Sequence, residues 1–201
     1  MPLQNRVDPF GDLFADAARG LLMGNRGGRL HDGRRKLGAR RWTSKQWICC
    51  RLDFNDRHRG VWGDSYSELF FLDEVTALAA GHRPCFECRR QDAEFFAALF
   101  SGKRKRATAP AMDDMLHAER LDGKTKRMHR RKIDTLPDGA MIALVGEAFA
   151  LSGAQLLRWT PSGYAKARPR PHAIDVDVLT PPSIVAVLAA GYRPLWHPSS
   201  E

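Results

Sequence analysis

The sequence predicts an α+β protein: a zinc-binding β-hairpin/helix module followed by helices and a small antiparallel β region. Three observations carry this. A helical stretch stops at Gly81 and runs directly into Cys85-x-x-Cys88. After Cys88 apolar residues recur at helical spacing as far as Gly102. From Asp134 the pattern changes to short strand-like runs divided by glycine-containing turns. The 201 residues then fall into 1–105, the metal module with an N-terminal extension, 106–133, a basic helical segment, and 134–201, a small β region with a C-terminal helix. That length is ample for a hydrophobic core, and the three parts have room to pack as one unit.

Taken in order, residues 8–19 put Phe10, Leu13, Phe14 and Ala17 on one side of a short helix. The Gly-rich stretch Leu21 to Gly33 matches neither dinucleotide nor P-loop spacing, so a structural turn is a simpler reading than a phosphate cradle. Lys45 to Phe54 alternates as a strand, with Ile48, Cys50, Leu52 and Phe54 as the apolar set and Trp47, Cys49, Arg51 and Asp53 opposite. A polar turn at 55–60 and a second strand at Tyr66 to Phe71 complete a hairpin. Helix follows to Gly81, which takes the left-handed conformation at a helix end, and Pro84 blocks continuation. Ala93, Phe96, Ala97 and Phe100 mark a second helix, and Ala111 to Leu121 a third with Met112, Met115 and Leu116 inward. Beyond the basic run Lys124 to Lys132, strands are expected at Ala140–Val145, Ala148–Leu151, Gln155–Trp159 and Ile174–Leu179, then a helix from Pro182 to Gly191. Ala77–Pro84 is echoed at Val187–Pro194, but Leu195 stands where the first copy has Cys85. The echo is shared helix-end chemistry rather than a second metal site.

Charge points to a partner. The net charge is +9, and it is concentrated: residues 26–59 carry 11 Lys/Arg against 3 Asp/Glu, residues 83–132 carry 14 against 7, and residues 133–201 carry 5 against 6. Such a field suits a polyanion, and nucleic acid is the expected partner; a basic solvated surface without a partner is the plain alternative. No stretch is apolar for the roughly 18 residues a membrane helix needs, and Asp8, Asp12 and Asp16 sit where a secretory signal wants positive charge. A cytoplasmic location and no membrane partner are therefore expected. Four cysteines, one vicinal pair and one Cys-x-x-Cys, do not form a secreted disulfide framework and point instead to metal or redox chemistry.

Ala77 to Cys88, read as Ala-Leu-Ala-Ala-Gly-His-Arg-Pro-Cys-Phe-Glu-Cys, resembles the signature of the metal-binding N-terminal domain of the Ada-type DNA-alkylation repair protein, with His82 at its aromatic position. The resemblance spans roughly Trp47 to Arg90 and implies a small zinc-binding unit that contacts DNA. It implies Cys85 and Cys88 as the second ligand pair, with a first pair upstream at Cys-x-x-x-Cys spacing. Here only the vicinal Cys49-Cys50 is available, so the family's methyl-accepting reaction is not carried over. Cys50 is expected as third ligand and Cys49 or His31 as fourth, with His58 and His82 behind them. Four protein ligands would make the zinc structural, with no open position for water. A redox pair, or buried unliganded thiols, are the competing readings.

Arg83, Arg89 and Arg90 flank the cysteines and are the expected phosphate contacts; Trp42, preceded by Arg40 and Arg41, is the best candidate for base stacking. The leading function is a zinc-stabilised nucleic-acid-binding protein, DNA in preference to RNA. A second constellation supports an enzyme: on a helix Asp113, Asp114 and His117 can share a face and hold a divalent ion beside the Lys124–Lys132 run, as in a nuclease. The plainer reading is two carboxylates near a helix start and a packed histidine. A non-catalytic structural protein is the third possibility.

Overall fold

A computed structural model describes residues 1–56, 60–102 and 106–201. Two six-stranded sheets are joined through one short helix. In the first, β1 (Arg6–Val7), β2 (Leu13–Phe14), β3 (Leu22–Asn25), β4 (Ile48–Arg51), β5 (Leu69–Phe71) and β6 (Arg83–Pro84) lie in the order β2-β1-β5-β3-β4-β6. The β1/β5 and β4/β6 pairs are parallel and the others antiparallel. In the second, β9 (His129–Lys132), β10 (Met141–Leu144), β11 (Glu147–Ser152), β12 (Gln155–Thr160), β13 (Gly163–Pro169) and β14 (Asp175–Val178) are ordered β13-β12-β11-β10-β14-β9, antiparallel throughout. A two-residue hairpin, β7 (Leu121–Asp122) and β8 (Thr125–Lys126), stands apart. The helices are α1 (Glu74–Ala79), α2 (Arg90–Ser101), α3 (Ala109–Arg120) and α4 (Pro182–Ala189).

α1 is short and wholly buried because both sheets use it. Ala77 and Ala80 pack with Leu69, Phe71 and Cys49 of the first sheet. Leu72, Val75 and Ala79 pack with Met141, Ala150 and Leu157 of the second. The remaining core lies between the second sheet and α2, α3 and α4, around Phe96, Leu116, Ile142 and Val187. Two buried carboxylates at the start of α1 reinforce the junction. Asp73 caps the helix by accepting from the Thr76 N–H at 2.9 Å, and also accepts from Tyr164 Oη at 2.8 Å and the His197 N–H at 3.1 Å. Glu74 accepts from Tyr192 Oη at 2.7 Å and the Leu195 N–H at 2.9 Å. At the other end, Gly81 (φ +89°) takes the expected left-handed conformation, and a Cβ there would come within 2.6 Å of the Arg120 stem. The echoed helix end is built alike: His82 N–H bonds to Ala77 O and Tyr192 N–H to Val187 O.

Four local expectations are corrected. Residues 8–19 are not helical; Gly11 (φ +85°) turns the chain so that Arg6 and Val7 pair with Phe14 and Leu13, and Arg6 also pairs with Phe70. The strands at 48–51 and 69–71 do not form a hairpin with each other, because β3 lies between them. The buried face of β4 is the opposite one: Trp47 and Cys49 are 2% and 0% exposed, whereas Leu52 is 45% exposed. The 106–133 segment is helical only through α3; its basic end turns into strands, where Arg130 and Lys132 pair with Asp177 and Asp175 of β14. Among the described residues no helix is long and apolar enough to cross a membrane.

Candidate metal centre

The parallel pairing of β4 with β6 sets Cys49 opposite Pro84 and brings the Cys-x-x-Cys turn against the vicinal cysteines. The Cys85 N–H donates to Cys49 O and the Arg89 N–H to Cys85 O, both at 3.0 Å, which fixes the turn into α2. As a result the sulfurs of Cys50, Cys85 and Cys88 all lie within 4.8 Å of one another. A tetrahedral zinc with Zn–S near 2.3 Å would hold its sulfurs about 3.8 Å apart, a separation compatible with that bound. The donor set is soft, and three close cysteines can hold a metal ion.

The electrostatics of the bare cluster point the same way. The Cys85 thiol is held far below its ordinary range, first by the Cys50 and Cys88 thiols and then by backbone N–H groups including Glu87. Cys50 is pushed up by Cys85 and Cys88 and by burial, and Cys88, against the opposing pull of the Cys50 thiol, is pushed up by Cys85 and burial. A divalent cation opposes these rises and lets all three ionise.

Cys49 does not join them. Strand alternation turns its side chain to the other face, where it is fully buried and accepts from Arg89 Nη1 at 3.1 Å. Burial pushes its thiol up to about 12, against the opposing pull of Arg89. His31 is also elsewhere: its ring stacks on Trp62, and its two nitrogens meet Ser67 Oγ at 2.6 Å and Gly63 O at 3.0 Å. His82 is fully buried against Trp47 and Phe71. His58 lies outside the described residues. Among the described residues, then, the group that could hold an ion is three cysteines, and neither expected fourth ligand belongs to it.

The sulfurs stand on the wall of a pocket of about 330 Å³. Its apolar lining is the set Ile48, Leu52 and Phe54 that the alternation marked as core, joined by Val61 and Phe70. The buried Glu68 carboxylate also lines it, accepting from the Trp62 N–H at 2.7 Å. Glu68 carried no signal in the sequence. It becomes visible only once β5 is placed beside β3.

The expected phosphate contacts separate. Arg83 is 1% exposed and forms a two-pronged pair with Asp113, Nε to Oδ1 and Nη2 to Oδ2, both at 2.8 Å. Arg89, 8% exposed, is held by Glu74 and Asp92. Neither reaches solvent, so both are structural. Arg90 is exposed and pairs with Glu94 across one helical turn. Trp42 is half-buried, with its ring near Trp47 and edge-on to His117.

The acid–imidazole constellation does not assemble either. Asp113 has both oxygens on Arg83, Asp114 faces Lys45 at 2.8 Å on the surface, and His117 Nδ1 meets Arg120 Nη2 at 3.1 Å. Three side chains with three separate partners leave no shared position for a divalent ion. Asp113→Ala is expected to lower stability by about 3–5 kcal/mol, because it strands the Arg83 charge in the interior. Denaturant unfolding checks this; unchanged stability would contradict a structural role.

Compared with protein-family models, with curated proteins and with solved structures, the chain matches none.

Proposed function

We propose that the chain binds nucleic acid through a basic face and that zinc on Cys50, Cys85 and Cys88 holds one edge of that face rigid. One observation carries the reading. The two basic segments, far apart in sequence, meet at a single cleft: Arg41 and Trp42 come from the first, Arg120, Lys124 and Lys126 from the second. Arg29, Arg34, Arg35, Lys36 and Arg40 are exposed on the loop that joins β3 to β4 and that also carries Arg41 and Trp42. Zinc would staple β4 to the turn after β6, and so brace the strand on which that loop ends. The preference for DNA over RNA, and the likeness to an Ada-type module, rest on Ala77 to Cys88.

Binding of labelled single- and double-stranded DNA and RNA, followed by fluorescence anisotropy across a salt series, tests the reading. The pair Arg41→Ala with Lys124→Ala is expected to weaken binding and to flatten the slope of log K against log salt by about 1–2, one unit per lost phosphate contact. Absence of binding to every form at low salt would remove it.

The pocket favours a second reading, an enzyme. A metal held by three sulfurs keeps a position for water or substrate, as catalytic zinc sites do, and here that position would face an apolar-walled space with Glu68 in its lining. Zinc-dependent turnover abolished by Glu68→Gln, with zinc retained, would favour it over the binding role.

A further inference from the structure

We propose that the cleft beside Trp47 is an anion site that receives the oxygens of one phosphate group on Arg26, Arg120 and Lys126.

The fold pairs its other deeply buried arginines with carboxylates: Arg83 with Asp113, Arg89 with Glu74. Arg26 and Arg120, each 1% exposed, break that rule. Arg26 donates to Gly11 O at 2.8 Å, Arg41 O at 3.3 Å and His82 Nε2 at 3.3 Å. Arg120 donates to Gly81 O at 2.9 Å and Lys45 O at 2.7 Å. Lys126 Nζ donates to Ala79 O. Among the described residues none of the three has a carboxylate within ion-pair distance, although Asp12 also lines the cleft. Arg120 Nη2 also meets His117 Nδ1 at 3.1 Å, so three cations converge with only carbonyl dipoles, two imidazoles and a π-face to hold them. The Trp47 ring is shared by Arg26 and Arg120, whose Cζ atoms lie 3.8 and 4.0 Å from its centroid. Cation–π contact and carbonyl bonds offset part of the desolvation of a buried charge, but they leave the mutual repulsion untouched.

A second, independent feature points to a ligand. The Arg120 Nε is fully enclosed and has no hydrogen-bond partner among the described residues, in a side chain that lines the cleft. Buried donors of this kind are rare, and a bound anion is one group that would satisfy this one. The cavity is about 30 Å³, room for one or two oxygen-sized atoms. A phosphate would therefore seat its oxygens inside and keep its ester end at the mouth, where half-buried Arg41 and Trp42 and exposed Lys124 stand. The titration behaviour of the three cations agrees: burial first, opposed by Asp8 for Arg26 but reinforced by the neighbouring arginines for the other two, lowers Arg26 and Arg120 to about 9 and Lys126 to about 7. An anion reverses each of these shifts.

The site itself stands on the cleft alone; only the idea that a nucleic-acid strand supplies the phosphate rests on the proposed function. Thermal unfolding of the full zinc-loaded chain in phosphate, against chloride at matched ionic strength, tests it. Phosphate at a hundredfold excess over Kd is expected to raise Tm by roughly 5–10 °C, and Lys126→Met to remove most of that rise while leaving the phosphate-free protein at least as stable. A rise no larger than in chloride, or an equal rise in Lys126→Met, would overturn the proposal. A labelled oligonucleotide displaced by phosphate identifies a strand phosphate as the ligand. A phosphate-specific rise with no oligonucleotide binding assigns the site to free phosphate and leaves only the nucleic-acid reading refuted.

Discussion

Cys50→Ser, Cys85→Ser and Cys88→Ser are each expected to reduce bound zinc from a full equivalent to a small fraction, while Cys49→Ala keeps it. The contrast follows from strand geometry. Adjacent residues on β4 face opposite ways, and only Cys50 faces the two sulfurs of the Cys-x-x-Cys turn. Structural zinc contributes roughly 10–16 kcal/mol of apparent binding free energy in small thiolate sites, so loss of one sulfur in three removes much of the affinity. The metal also ties β4 to the start of α2, so the serine variants should unfold at lower temperature even in excess zinc. Cys49→Ala has a different cost, about 1–3 kcal/mol, because it leaves Arg89 Nη1 without its acceptor in the interior. Metal content by mass spectrometry checks the series. Equal loss from Cys49→Ala would contradict the assignment.

Glu74→Ala is expected to lower stability by about 3–5 kcal/mol, as large an effect as that of Asp113→Ala. Its carboxylate is 1% exposed and is where three parts of the chain meet: Arg89 from the metal turn, with Nη2 at 2.8 Å, and Tyr192 and Leu195 from the far end of the sequence. Removing it leaves the Arg89 charge buried with only the half-exposed Asp92. For a chain of this size the loss corresponds to a fall in Tm of roughly 10 °C. Glu74→Gln separates charge from shape: it keeps a side chain of similar size and an acceptor oxygen, so a cost close to that of alanine assigns the effect to the Arg89 pair. Thermal unfolding of both variants measures it, and a change of less than about 1 kcal/mol in Glu74→Ala, the range of an exposed pair, would contradict the buried-hub description.

Sequence was informative where local physics decides. The helix stop at Gly81, the Cys-x-x-Cys turn, the helices after Cys88 and the short strands after Asp134 each follow from spacing over a few residues, and each is present. It misled where distant pairing decides. Phe10, Leu13 and Phe14 have helical spacing, yet Phe10 lies in a turn and Leu13 and Phe14 pair with Val7 and Arg6 of β1, which is itself held in the sheet by β5. The alternation around Cys49 and Cys50 was legible, but not which face is core. A pocket wall of Ile48, Leu52 and Phe54 carries the same residue types as a core face. The candidate ligands divided for the same reason, since alternation separates vicinal cysteines and only the β4/β6 register selects between them. Arg26 lies in one basic stretch and Arg120 and Lys126 in another, where nothing marks a buried cation from a solvated one.

X-ray absorption at the zinc edge of the full chain bears most directly on the metal centre. Three sulfurs near 2.3 Å and one oxygen or nitrogen is the expected first coordination sphere, with the same spectrum from Cys49→Ala. Four sulfurs, with Cys49 turned into the site, would contradict both the ligand set and the open position over the pocket.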